Sequence, residues 1–174
     1  MTILDIAELG NPILRCQAQS IDKSEPKILQ LIDDLIATAE LNNGVGIAAP
    51  QVSQSYRLFI VASRPSIRYP QAPIMKPTAM INPLILSYSQ EMVKDWEGCL
   101  SIPGLRGLVP RDRAIEVEYT TIIGDRKKKI FTDFIARIFQ HELDHLNGIV
   151  FLDRLESKND LYTEAEYQKR VFDN

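Results

Sequence analysis

The chain has 174 residues, 45% hydrophobic and 25% charged, with 20 Lys and Arg against 23 Asp and Glu for a net charge of −3. That is the composition of one globular domain, residues 1–174, with a single sizeable core, and a pI near 5.4 offers no broad basic face to nucleic acid, so DNA is not an expected partner. No apolar run approaches the ~18 residues of a membrane span, and two cysteines, Cys16 and Cys99, make no disulfide framework.

The opening "MTILDIAELGNP" has neither the cationic start and apolar run of a secretory signal nor the basic, Ser-rich character of a transit peptide. A cytoplasmic location is expected, or an organellar one only if a leader has been removed. In a reducing compartment each cysteine is a buried thiol or a metal ligand rather than half of a bridge. From Glu25 to Leu41, Ile28, Leu31, Ile32, Leu35, Ile36 and Ala39 recur at helical spacing and predict an N-terminal helix. Ser24 is its expected N-cap and "NNG" (42–44) its stop.

"GVGIAAPQ" (44–51) comes next. Gly44 and Gly46 allow unusual backbone angles and close approach, and Ala48 and Ala49 leave room for a neighbouring chain. Gln51 brings a neutral amide, a donor able to stabilise an oxyanion without salt-bridging to a nearby carboxylate. The stretch lacks the third glycine of a dinucleotide loop and the Lys-Ser/Thr of a phosphate loop.

"YRLFIVA" (56–62) and "AMINPLIL" (79–86) predict strands. The segment 63–78 between them carries four of the ten prolines and predicts an extended surface loop, functional or an inserted tether. In "WEGCLSIPG" (96–104), a glycine before Cys99 and "SIPG" after it predict a bend that brings backbone groups to a ligand. Glu97 beside it either orients a ligand, pairs with Arg106, Arg111 or Arg113, or is a plain solvated carboxylate.

"AIEVEYTTIIGDRKKKIF" alternates Ile115, Val117 and Tyr119 against Glu116, Glu118 and Thr120, which predicts a β-hairpin turning near "GD". The run Arg126 to Lys129 reads as a solvated turn, with a transient ribosome or RNA contact as the alternative. "TDFIARIFQHELDHLNG" predicts a second helix, capped by Thr132 or Asp133 and stopped at Gly148. A third, amphipathic helix is expected from Leu161 to Val171. Mixed strands followed by a buried helix predict an α+β fold.

His141 and His145 are the whole histidine stock of the chain, and on a helix they stand one turn apart on one face, able to share one metal ion. Glu142 sits about 100° round the helix from His141, close enough to act on a water at the metal without being a ligand. Phe134, Ile135, Ile138, Phe139, Leu143 and Leu146 make the surroundings apolar. Two histidines do not complete a site, and three sources of a third ligand come into question. A third histidine six residues on is excluded, because position 151 is Phe151. A downstream carboxylate, Glu164 or Glu166, would make the chain a zinc endopeptidase, although "TEAEYQKR" also reads as an ordinary charged helix surface. Cys99 would give a thiolate and two imidazoles, a set that suits zinc or ferrous iron and leaves a position for water.

Taken in order, "GVGIAAPQ", "EGCLS" and "QHELDH" resemble the three motifs of the peptide deformylases, and the likeness covers roughly residues 5 to 155. Ile47 stands where leucine is commoner, and Asp133 where many relatives carry glycine before the metal helix. The resemblance implies an α+β domain, with antiparallel sheets packed around a central helix that carries the two histidines. It also implies a hydrolase that removes the formyl group from N-formylmethionine on new polypeptides, acting as a monomer on nascent N-formylmethionyl peptides. Cys99, His141 and His145 would bind one divalent ion, natively Fe(II) and often replaced by Zn(II). Glu142 would be general base and then general acid, with Gln51 and the backbone N–H of Leu100 holding the oxyanion. Gly46, Ile47, Glu97 and Ile138 are the expected substrate-binding residues, with Ile47, Ile138 and nearby apolar side chains lining a pocket for the methionine side chain.

Overall fold

A computed structural model of the chain describes residues 1–22, 25–66 and 69–172. The first helix, α1, spans Pro26–Leu41 and buries Ile28, Leu31, Ile32, Leu35 and Ala39, the stripe its periodicity predicts. Pro26 opens it, where a missing N–H is no loss, and Glu25 is the N-cap. Ser24, the expected cap, lies outside the described residues.

Strands β1 (Gly46–Ala48), β2 (Leu58–Ser63) and β3 (Met75–Tyr88) are followed by β4 (Met92–Cys99), β5 (Ile102–Asp112), β6 (Ala114–Thr120) and β7 (Arg126–Thr132). The second helix, α2, spans Asp133–Leu146, and a short strand β8 (Leu161–Thr163) leads into the third helix, α3 (Glu164–Phe172). One sheet has the order β1-β2-β3-β6-β7 and the other β4-β5-β8. Each pairing between these strands is antiparallel.

Alternation along β2 decides the layering. Successive side chains of a strand point to opposite faces. Phe59 and Val61 join a core with Ala136, Ile138 and Phe139 of α2. Leu58 and Ile60 join a second core with Ile28, Leu31, Ile32 and Leu35 of α1. The strand is apolar throughout because a helix covers each side of it. On the other flank of α2, Arg137 donates to the carbonyls of Val93 and Val109, which ties the helix to the β4–β5 hairpin. The helix with the two histidines therefore stands between the two sheets, as expected.

Several boundaries differ from expectation. The run Arg126 to Lys129 is strand, not turn: it lies in β7, exposed at the sheet edge, with Lys128 opposite Glu118. Lysines there discourage edge-to-edge pairing with another chain. Leu161–Thr163 is strand rather than helix, because it pairs with Leu105–Gly107. Strand β3 begins at Met75 and so shortens the proline-rich loop. Asp133 adopts φ 50°, the left-handed region where glycine is commonest, and its carboxylate accepts from Arg113 Nε at 3.0 Å. Among the described residues, no helix is long and apolar enough to cross a membrane.

Candidate active site

Cys99 ends β4, just before the two-residue turn into β5, so its sulfur is carried on a hairpin tip. His141 and His145 face it from α2. The ligand atoms of the three all lie within 4.8 Å of one another, and they are the group among the described residues able to hold a metal ion. Cys99 Sγ is 3.2 Å from His145 Nε2. His141 Nδ1 hydrogen-bonds the Glu97 carboxylate at 2.9 Å, leaving Nε2 for the cluster. A carboxylate on the second nitrogen fixes the tautomer of a metal-ligating imidazole.

The electrostatics suit that task. Burial, with the positive charge of His141 and Arg111 adding to it, holds His145 well below its usual pKa and therefore neutral. Its Nδ1 is buried without a hydrogen-bond partner. Burial alone would lower the His141 pKa, but hydrogen bonds to Cys99 and Glu97 and the Glu97 charge raise it well above the ordinary value. A metal ion on His141 Nε2 would displace the proton that these groups favour. A thiolate and two imidazoles are a soft-to-borderline donor set suited to zinc or ferrous iron.

Glu97 is not a solvated carboxylate; it is 4% exposed. Burial would raise its pKa, yet Arg111 and the His141 hydrogen bond hold it well below the usual carboxylate range. Arg111 binds both oxygens, Nε to Oε1 at 2.9 Å and Nη2 to Oε2 at 3.0 Å, and Arg137 Nη1 adds a third contact at 2.9 Å. Arg111 also donates to Asp144 at 2.6 Å, and Arg154 closes on the same carboxylate at 2.6 and 3.0 Å. Arg137, His141 and Asp144 recur at i, i+4 and i+7 on α2, so one helix face carries the whole array. Of the three arginines considered for Glu97, Arg111 takes the position. Arg106 pairs with Glu164, and Arg113 with Glu91 and Asp133. Glu97→Gln is expected to weaken metal affinity by about 10- to 100-fold through loss of the His141 anchor, measured by competition with a chelating indicator.

Glu142 is buried beside the cluster, and its Oε2 has no partner. Burial pushes its pKa up to about 7, with the charge on Glu97 adding and those on His141 and Arg111 opposing. A carboxyl poised there can take and return a proton near neutrality. The glycines of "GVGIAAPQ" serve close approach, not unusual angles, since neither Gly44 nor Gly46 has positive φ. A Cβ on Gly46 would stand 2.3 Å from Glu142 Oε1 and 2.8 Å from its Cδ. Gly46→Ala must displace that carboxylate, so kcat is expected to fall on the order of 10²-fold, the usual cost of misplacing a catalytic group by about 1 Å. Metal content should not change, and steady-state kinetics with elemental analysis checks both.

Gln51 is oriented by the Ala48 N–H, which donates to its Oε1 at 2.8 Å. Its Nε2 therefore faces Cys99 Sγ at 3.5 Å and Ser101 Oγ at 3.2 Å, inside the site. Leu100 lies in the turn between β4 and β5. Gly46, Gln51, Glu97, Leu100, Ile138, His141 and Glu142 all line one cleft of about 380 Å³. Ile47 does not. It is fully buried in the core against α1, because alternation along β1 turns it away from Gly46, and Val45 is at the cleft in its place. Tyr69 was missed: the proline-rich loop sets its ring 4.6 Å from Phe134, and both line the cleft, so this loop is not an idle tether. Arg137, Asp144 and Arg154 were missed too, because nothing local marks a charged side chain as buried. Glu164 binds Arg106 and Glu166 binds Lys169, which leaves neither as third ligand.

The polypeptide deformylase family model matches residues 3–160. The chain belongs to that family. Peptide deformylase 2 of Nostoc sp. (strain PCC 7120) is 61% identical over 173 residues, 99% of this chain and 97% of that relative. A class I type b peptide deformylase from Acinetobacter baumannii, solved with Met-Ala-Ser bound, is 46% identical with a TM-score of 0.87, over 88% of this chain and 99% of that one. The peptide deformylase of Thermotoga maritima is 34% identical with a TM-score of 0.81, over 90% and 100%. This deformylase is thus a metal-dependent hydrolase of the α+β fold its neighbours share. The endopeptidase alternative is not favoured.

Proposed function

We propose that this deformylase works through one divalent ion held by Cys99, His141 and His145, with Glu142 as proton carrier and Gln51 with the Leu100 N–H as oxyanion donors. Hydrolytic removal of the formyl group from N-terminal formylmethionine is the activity of the family to which the chain belongs. The observation that carries the reading of the site is the convergence of one sulfur and two imidazoles from separate elements within 4.8 Å. Bound there, the ion would act as a Lewis acid and make water nucleophilic at neutral pH.

The chain's own residues account for the rest. Glu142 accepts the proton as water attacks the formyl carbon and then delivers it to the leaving amine. Burial serves both halves of that task, since a carboxyl near pKa 7 holds the proton and gives it up with similar ease. As charge builds on the formyl oxygen, Gln51 Nε2, already aimed into the site, donates to it. Ile138, Val45 and Phe134 supply apolar wall for the methionine side chain. The formyl carbon carries only hydrogen, so a narrow site admits it and excludes larger acyl groups.

Ferrous iron is the proposed resident ion, one of the two metals, with zinc, that a thiolate–imidazole set accommodates, its occupancy set by metal availability rather than by raw affinity. Protein purified without oxygen should contain iron and release one formate per formyl-Met-Ala-Ser consumed, and activity should decline in air. Iron-free protein with full, oxygen-stable activity would refute the metal assignment, and absence of formate release would refute the proposed activity.

A further inference from the structure

We propose that Glu164 is a specificity-determining residue of the cleft, favouring cationic over anionic residues downstream of the formylmethionine; this rests on the deformylase reading above. The deep end of the cleft holds Glu97, Arg137, His141 and Glu142, all buried. Arg106 and Glu164 also line it, and Glu164 has the most exposed charged side chain of this lining, at 26% against 11% for Arg106. We infer that a peptide whose first residue occupies the deep end carries its next residues out past that carboxylate, the charged group of the lining most open to solvent.

Arg106 by itself would make the wall cationic, but its charge is held back. Its Nε donates to Glu164 Oε2 at 2.6 Å, and its guanidinium lies 5.4 Å over the Tyr167 ring. Its Nη1 fills the space beside Gly98, where a Cβ would come within 1.8 Å. Gln168 donates to the other oxygen of Glu164 at 3.3 Å. The position of Glu164 is built by the fold: β8 pairs with β5, Arg106 opposite Tyr162, and Trp96 packs edge-on to both Tyr162 and Tyr167 at 5.0 Å. The tail that carries no catalytic group thus sets the charge that the substrate meets on leaving the cleft.

The test compares kcat/KM for formyl-Met-Ala-Lys, formyl-Met-Ala-Asp and formyl-Met-Ala-Ser. The unaltered enzyme is expected to favour the Lys over the Asp peptide by about 3- to 5-fold, the size of a partly exposed ion pair. The effect should appear in KM and shrink as salt is raised. Glu164→Gln leaves the Arg106 charge unmatched and should reverse the preference, whereas Arg106→Gln should enlarge it. Opposite shifts from the two partners are not produced by a loss of packing. Glu166→Gln, outside the cleft, should keep the original ratio. Equal rates for the Lys and Asp peptides, or the same ratio in all variants, would overturn the proposal while leaving deformylation intact. Failure to turn over even formyl-Met-Ala-Ser would instead overturn the deformylase reading.

Discussion

Glu142→Gln is expected to retain its metal and lose about 10²–10⁴-fold in kcat, the range that a positioned acid–base group contributes. The substitution isolates chemistry from folding. Glu142 Oε2 makes no hydrogen bond, and the ion pairs that brace the site run through Glu97, Arg111 and Asp144 instead. Burial already disfavours its charged form, so exchanging it for a neutral amide of the same shape should not lower the melting temperature. Turnover of formyl-Met-Ala-Ser, metal content and thermal unfolding measured together give the test. Near-normal kcat in a metal-loaded variant would remove Glu142 from the proton-transfer role.

Cys99→Ala should release the metal and with it nearly all activity. Removing a residue that merely orients a ligand commonly costs 10–100-fold in metal affinity. Deleting one of three ligands should exceed that, so bound metal should fall from about one per chain to a small fraction. Cys99 is half-buried at the hairpin tip, and the main packing of that region comes from Ile102, Val109, Val150 and Phe151. Destabilisation should therefore track the lost ion, about 2.7 kcal/mol where free metal stands at 100 times its dissociation constant. Glu164→Ala, by contrast, should keep the ion, as Glu164 is engaged with Arg106. The pair of variants, assayed by elemental analysis and melting temperature with and without added metal, separates a thiolate-completed site from a carboxylate-completed one.

Elements with strong local period were legible before any coordinates. The stripe Ile28–Leu31–Ile32–Leu35–Ala39 and the alternation of Ile115, Val117 and Tyr119 appear where expected. So does the helix that brings His141 over His145. Strands β4, β5 and β8 were not legible: "MVKDWEGC" and "IPGLRGLVPRD" mix charge, glycine and proline with no clean alternation. They become strands because they pair with each other and because Arg137 binds their carbonyls. Ile47 illustrates the limit from the other side. Its neighbour Gly46 is at the cleft, and only the register of β1 against β2, with Ile47 opposite Ile60, turns its side chain into the core.

Near-neighbour information determined a great deal here. Helical spacing put two imidazoles and a carboxylate on one turn, glycines marked where backbone must come close, and three short stretches in order named the chemistry. What folding alone decided was which distant partners meet. Glu97 had three arginines within reach in sequence, yet the fold gave it Arg111 and added Arg137. Glu164 became cleft wall rather than ligand. Spacing along a chain is set by covalent geometry, so it can be read residue by residue. The choice among equivalent charges is made by packing and desolvation across the whole molecule, and no local pattern encodes it.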